Sequence, residues 1–269
     1  MAASDPIGVF DSGIGGLSVL REIRRELPNE DLLYVADSGH APYGDKPAPL
    51  IEARSIAIVE FLLSQRAKAI VVACNTATGA AVATLRARFP LPIVAMEPAI
   101  KPAAASTRSG VIGVLATGRT LASENFARLH ARFGADVDIL VQACPGLVEQ
   151  VEAGDLSGAE TRALLERYVL PLLERQADTL VLGCTHYPFL APLIREVAGP
   201  SVAIVDPSAA IARELRRRLA DAVLLSHEKR AGTERFWSSA APDQAQPLIS
   251  RLWRAGIEVW SLPNAPLPG

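Results

Sequence analysis

The chain has 269 residues, 49% of them hydrophobic, a formal net charge of −2 and 3 cysteines. That supplies enough apolar material for one large or two modest α/β domains, and it offers no basic excess to hold a polyanion, so neither nucleic acid nor an anionic membrane surface is expected as a partner. Met1 to Asp5 lack a charged region followed by an apolar core, and no apolar run approaches the ~20 residues of a membrane span; a cytoplasmic location is expected, where reducing conditions keep the cysteines as free thiols.

The first predicted element is a strand, Ile7-Gly8-Val9-Phe10-Asp11, that runs into Ser12 and Gly13. After Gly13-Ile14-Gly15-Gly16, the spacing of Leu17, Leu20, Ile23 and Leu27 predicts a helix stopped by Pro28. A second helix, Ile51 to Gln65, carries Ile56, Val59, Phe61, Leu62 and Leu63 on a broad apolar face, and leads to a buried strand at Ile70-Val71-Val72. Ala73-Cys74-Asn75-Thr76 follow, then a helix from Ala77 to Phe89 and a strand at Ile93-Val94-Ala95.

The pattern then repeats in the same order and at nearly one offset. Ile112-Gly113-Val114-Leu115-Ala116-Thr117-Gly118 matches the first strand, Leu180-Val181-Leu182-Gly183-Cys184-Thr185-His186 matches the segment ending in Cys74, and Val202-Ala203-Ile204-Val205-Asp206-Pro207 matches Ile93 to Pro98. Helices are predicted at Ser123 to Phe133, Ala159 to Gln176 and Pro188 to Val197. Strands alternating with helices of this length imply βαβ units. The fold class is therefore α/β, with two pseudo-symmetric domains of mostly parallel sheet and the active site in the cleft between them. A helix at Ala209 to Leu219 and strands near Val223 to Ser226 and Ile257 to Trp260 return to complete the first domain. Its extent is 1–101 plus 208–269, and the second spans 102–207. Ala231 to Gln246 shows no period and reads as loop. Arg216-Arg217-Arg218 reads as the solvated end of a helix, where cations complement the dipole.

Gly13-Ile14-Gly15-Gly16 does not have dinucleotide-binding spacing, and neither an acid at a second strand end nor a phosphate-binding Lys-Ser/Thr pair accompanies it. It fits a tight turn whose amides face a smaller anion at a helix start. Asp11 would ordinarily be a turn former, but its counterpart in the repeat is Ala116, which points to work done in one half only. Cys144 fits a buried small hydrophobe. Cys74 and Cys184 differ, since each stands at the carboxyl end of a strand among donors, where open α/β sheets place ligands and thiolates are stabilised. Neither zinc-ligand nor redox spacing is present, so no metal is expected. Two matched thiols suit inversion of a stereocentre, in which one base takes a proton from one face of a carbon while a conjugate acid delivers another to the opposite face. His186 can shuttle or hold that proton near Cys184, as Asp11 can near Cys74.

Four motifs in order, Gly8-Val9-Phe10-Asp11-Ser12-Gly13-Ile14-Gly15-Gly16-Leu17, Ala41-Pro42-Tyr43-Gly44, Ala73-Cys74-Asn75-Thr76-Ala77 and Gly183-Cys184-Thr185-His186-Tyr187-Pro188, resemble glutamate racemases of the aspartate/glutamate racemase superfamily. The resemblance implies conversion of L-glutamate to D-glutamate for peptidoglycan without a cofactor, in keeping with the lack of any lysine motif for pyridoxal phosphate. It implies that Cys74 and Cys184 are the opposed acid/base thiols, assisted by Asp11 and His186. The substrate glutamate would be held by Asp11, Ser12, Pro42, Tyr43, Gly44, Asn75, Thr76, Thr185 and His186, with Thr117 and Thr120 as further contacts. In Cys144-Pro145-Gly146-Leu147-Val148-Glu149-Gln150-Val151-Glu152, Glu152 aligns with an acid the family places near the site. Asp37-Ser38-Gly39-His40 departs from the family pattern, in which an aspartate, a small residue and an arginine precede Pro-Tyr-Gly. Rival readings are an aspartate racemase or related isomerase, and a non-catalytic small-molecule binding protein. A homodimer is also open to the chain, with Trp237, Trp253 and Trp260 as candidate anchors, although core packing is the commoner use of tryptophan.

Overall fold

The computed structural model describes residues 1–263. In chain order the regular elements are β1 (Ile7–Asp11), α1 (Leu17–Glu26), β2 (Leu32–Ala36), α2 (Ala48–Ser64), β3 (Ala69–Val72), α3 (Asn75–Arg88), β4 (Ile93–Ala95), α4 (Ile100–Ser106), β5 (Val111–Ala116), α5 (Gly118–Leu121) and α6 (Glu124–Phe133). They continue with β6 (Asp138–Ala143), α7 (Leu147–Glu152), α8 (Ala159–Glu174), β7 (Thr179–Gly183), α9 (Ala191–Ala198), β8 (Ala203–Val205), α10 (Ser208–Asp221), β9 (Glu234–Ser238), α11 (Pro242–Trp253) and β10 (Val259–Ser261). The chain divides into two compact units, Met1–Met96 with the segment from Ser208 onward, and Glu97–Pro207.

The first unit contains a six-stranded sheet in the order β10-β9-β2-β1-β3-β4, with every pairing parallel. β1, β2 and β3 are buried along their whole length, the signature of parallel strands covered on both faces. Phe10, Leu33, Val35, Ile70 and Val72 pack on Ile51, Ile58, Val59 and Leu62 of α2 and on Ala77, Ala81 and Leu85 of α3. The second unit repeats the scheme as a four-stranded parallel sheet, β6-β5-β7-β8, whose Ile112, Val114 and Val181 pack on Ile100 and Ala103 of α4 and Phe126 of α6. In each sheet the first strand of the repeat lies between the second and third, so the order in which parallel strands are added reverses between β1 and β3 and again between β5 and β7. Loops at such a switch point diverge and leave room for ligands at the carboxyl ends of the strands.

Several expectations need correction. The strand anticipated at Val223 to Ser226 does not form; β9, which lies inside the stretch read as loop, pairs with β2, and α11 begins in that stretch and runs on to Trp253. Glu234 and Arg235 open β9 and mask its apolar end, Phe236 and Trp237, which stack on Trp253 and on Phe61 and Trp260. The three tryptophans are thus used in packing within this unit. β10 begins at Val259, not Ile257. The helix expected at Pro188 to Val197 is a 3₁₀ turn, Tyr187–Leu190, followed by α9. A boundary at residue 101 would cut α4, which packs on β5, β7 and α6; the first unit instead closes at Met96. Residues 264–269 of the expected first domain lie outside the described residues. Arg216, Arg217 and Arg218 project from α10 into ion pairs with Glu26, Glu214 and Asp221. No helix among the described residues is long and apolar enough to cross a membrane.

Candidate active site

In the first unit, the turn after β1 is built around Asp11. This fully buried carboxylate accepts hydrogen bonds from the amides of Gly13 and Gly16, each at 3.1 Å through Oδ2. Gly16 is required there, since a Cβ would stand 2.7 Å from Cβ of Asp11 and 3.2 Å from that of Ala73. The close approach brings the start of α1 over the ends of β1 and β3. The amide of Ala73 bonds the carbonyl of Phe10 at 2.8 Å, so the next residue, Cys74, emerges beside Ser12, with Sγ 3.6 Å from its Oγ. Cys74 also caps α3, its sulfur accepting from the amide of Ala77 at 3.4 Å. A helix N-terminus favours negative charge at that position.

Asn75 and Thr76 form the first turn of α3, and both are buried. The side-chain amide of Asn75 has neither its nitrogen nor its oxygen hydrogen-bonded, and the buried hydroxyl of Thr78 is likewise unpartnered. An unsatisfied buried amide costs about 1–3 kcal/mol per group, a cost that a bound ligand would relieve.

β2 is followed directly by Asp37, so an acid does stand at the second strand end, contrary to the sequence reading. Its fully buried carboxylate is saturated: Arg54 of α2 donates from Nε at 3.0 Å and Nη2 at 2.7 Å, the Tyr43 hydroxyl donates at 2.5 Å, and His40 Nδ1 lies 3.1 Å away. Burial works to raise the Asp37 pKa, but Arg54 and Tyr43 outweigh it and hold the carboxyl below its ordinary value. Burial, then the Asp37 charge, pushes the Tyr43 phenol well above 10, so it remains a neutral donor. Pro42 follows a cis peptide bond, and Pro42 and Gly44 flank Tyr43 at a partly exposed turn. Arg54 is invisible to sequence reasoning, because a lone arginine on an amphipathic helix ordinarily faces solvent.

In the second unit, Cys184 lies at the equivalent strand end, after β7. Its sulfur is 3.7 Å from His186 Nδ1, and His186 Nε2 is 2.7 Å from Glu152 Oε1. Burial alone would lower the pKa of His186; the hydrogen bonds and charges of Cys184 and Glu152 overcome it and hold the imidazole well above 6.5. A ring protonated at both nitrogens has one N–H facing the Cys184 sulfur and the other facing the Glu152 carboxylate. Glu152 reaches it from the last residue of α7, a helix entered through Gly146 at φ 86°, where a side chain would be strained. Glu149, one turn earlier, is exposed. Thr117 caps α5 and its Oγ1 lies 2.9 Å from that of Thr120, while Thr185 is buried beside Cys184. Cys144 belongs elsewhere: burial and then the neighbouring Cys184 push its thiol up to about 12. Among the described residues, no group of three or more His, Cys, Asp or Glu side chains is arranged to hold a metal ion.

Comparison with known proteins shows the family. The chain is 57% identical over 262 residues to a glutamate racemase of Pseudomonas paraeruginosa, covering 97% of this chain and 98% of that one. Among solved structures, a glutamate racemase isoform of Bacillus anthracis superposes with a TM-score of 0.87 at 32% identity, over 96% of this chain and 97% of that one. A glutamate racemase of Francisella tularensis in complex with D-glutamate superposes with a TM-score of 0.83 at 28% identity, over 97% and 98%. A family model described as Asp/Glu/Hydantoin racemase matches residues 7–215. The thiols at equivalent strand ends, each with its own polar partner, are thus features of a chain that belongs to the Asp/Glu/Hydantoin racemase family.

Proposed function

We propose that the chain interconverts L-glutamate and D-glutamate without a cofactor, in the cytoplasm, supplying D-glutamate for peptidoglycan. The observation that carries this reading is the equivalence of Cys74 and Cys184: each follows the third strand of its repeat, one supported by a helix N-terminus and Ser12, the other by His186 and Glu152. The activity of the relatives supports glutamate as the substrate.

The α-proton of an amino acid is very weakly acidic. Its removal at a useful rate requires a base close to the carbon, donors around the carboxylate where charge develops, and proton delivery nearly concerted with removal. In this reading one sulfur, as thiolate, forms an S–H bond with the α-proton while the C–H bond breaks. The other, as thiol, gives its proton to the opposite face of the same carbon, and the configuration inverts. The enzyme then holds the two sulfurs in exchanged protonation states and is set for the reverse direction. His186, kept protonated between Cys184 and Glu152, would support negative charge at the Cys184 sulfur; Asp11, as a carboxylate, would instead hold or relay the proton of Cys74. Asn75, with both ends of its amide unpartnered, would meet the substrate's carboxylate and ammonium, joined by Ser12, Thr76, Thr117, Thr120 and Thr185. The Tyr43 hydroxyl is committed to Asp37, so Pro42, Tyr43 and Gly44 would offer main-chain groups and a wall to the substrate.

The test is racemisation of L-glutamate, D-glutamate and both enantiomers of aspartate by purified protein under reducing conditions, followed by chiral chromatography. Glutamate turnover at least about tenfold above aspartate, expressed as kcat/KM, supports the reading. Faster aspartate turnover would make the chain an aspartate racemase, and binding without turnover would make it a solute-binding protein.

A further inference from the structure

The site's polar groups in the first unit are short side chains and backbone amides, yet behind them lies a buried arginine that shares the Asp37 carboxylate with the Tyr43 hydroxyl. Arg54 is 5% exposed and is held in a planar two-bond fork to Asp37. Such a fork fixes the carboxylate in orientation as well as charge. Asp37 also accepts from the Tyr43 hydroxyl, faces His40 Nδ1 and is bonded by Ser239. Tyr43 lies in the same apolar cluster as Cys74, and the turn Tyr43–Asp45 packs on α3, which Cys74 caps. A continuous line therefore runs from α2 through Asp37 to the turn at the edge of the Cys74 site.

We propose that Arg54 is a positioning residue for substrate binding: by clamping Asp37 it anchors the Tyr43 hydroxyl and fixes the Pro42-Tyr43-Gly44 turn beside Cys74. This rests on the glutamate racemase reading for its kinetic test but not for its chemical one. A lysine at position 54 keeps the charge and loses the fork. Arg54→Lys is expected to raise KM for glutamate about tenfold in both directions, equivalent to about 1.4 kcal/mol, with kcat within about threefold of wild type. Tyr43→Phe, which leaves the Arg54 to Asp37 pair intact, is expected to do the same, and the double variant to be no worse than either alone. A role in folding only would lower the active fraction, and hence kcat, at unchanged KM; that outcome, or multiplicative effects in the double variant, overturns the proposal. Should Arg54→Lys not fold, Arg54→Met with Asp37→Leu removes the whole buried pair, and wild-type KM in that variant overturns the proposal while a tenfold rise supports it.

Alkylation by iodoacetamide reads the anchor without turnover. Freeing the turn is expected to speed labelling of Cys74 about threefold or more in Arg54→Lys and Tyr43→Phe, with Cys184 changed by less than about twofold. Equal acceleration at both thiols, or at neither, overturns it. Wild-type protein silent on glutamate would remove the proposed function and leave the labelling result to decide the role of Arg54.

Discussion

Glu152 Oε1 stands 2.7 Å from His186 Nε2, and the opposite nitrogen of the same ring faces the sulfur of Cys184. The carboxylate on the far side of the ring orients the imidazole that faces the sulfur, an arrangement in which a third group positions an acid/base pair. The Cys74 sulfur instead accepts from the start of α3 and faces the Ser12 hydroxyl. The two thiols are therefore supported by different chemistry.

That asymmetry predicts direction-dependent kinetics. His186→Asn is expected to lower kcat by about 10²–10⁴-fold in the direction that needs the Cys184 thiolate as base, with a smaller loss in the other direction. Glu152→Gln should shift the same direction less, by roughly tenfold, because the imidazole remains. Initial rates from pure L-glutamate and pure D-glutamate check this; equal small losses in both directions would remove His186 from the proton path.

The elevated pKa of His186 also makes a statement about stability. A histidine whose native pKa lies above its unfolded value of 6.5 favours the folded state when protonated. Its contribution is complete below 6.5 and is lost as pH rises through the native value. The urea midpoint of wild type should exceed that of His186→Gln by most below pH ~6.5, with the gap closing as the pH rises through the native pKa. A gap that widens with pH would reverse the sign.

Lys68 and Glu30 form a pair of another kind, remote from the thiols. Both are buried, Lys68 Nζ donates at 2.5 Å to Glu30 and at 2.5 Å to the carbonyl of Ala3, and Glu30 accepts from the amide of Ser226 at 2.8 Å. The pair ties the N-terminal segment to the chain that follows α10. Lys68→Met leaves a buried carboxylate uncompensated and is expected to cost about 3–5 kcal/mol in chemical unfolding, while Lys68→Met with Glu30→Leu should recover most of it.

Cys144 lies near Cys184 but is expected to be silent. With its thiol pushed up to about 12 it carries almost no thiolate at neutral pH. Cys144→Ala should retain racemase activity within about twofold, whereas Cys74→Ser and Cys184→Ser each abolish it with the fold intact by circular dichroism.

Much of this was legible in the sequence, for identifiable reasons. β1, β3, β5 and β7 are uninterrupted apolar runs that end at polar residues, and their recurrence in one order exposes the duplicated sheet. β6 hides because it is an edge strand, with Asp138 and Gln142 among its residues and Val141 48% exposed. β9 hides because charged residues open it and its partner, β2, is far away in sequence. Cys74 and Cys184 stand out because strand ends carry meaning in parallel sheets. Glu152 could be separated from Glu149 only once α7 and its rotation from Gly146 were in place. The clamp of Arg54 on Asp37 is a tertiary contact between two unremarkable positions, with no local pattern to reveal it.

The central claim, proton exchange at the α-carbon by two thiols, is most directly tested by incubating the cofactor-free protein with L-glutamate or D-glutamate in deuterated water and following optical activity together with the α-proton signal. Two-base transfer predicts that, early in the reaction, deuterium appears in the newly formed enantiomer while the remaining substrate keeps its proton. Deuterium entering the unconverted substrate as fast as the product, or racemisation that persists in Cys74→Ser or Cys184→Ser, would contradict it.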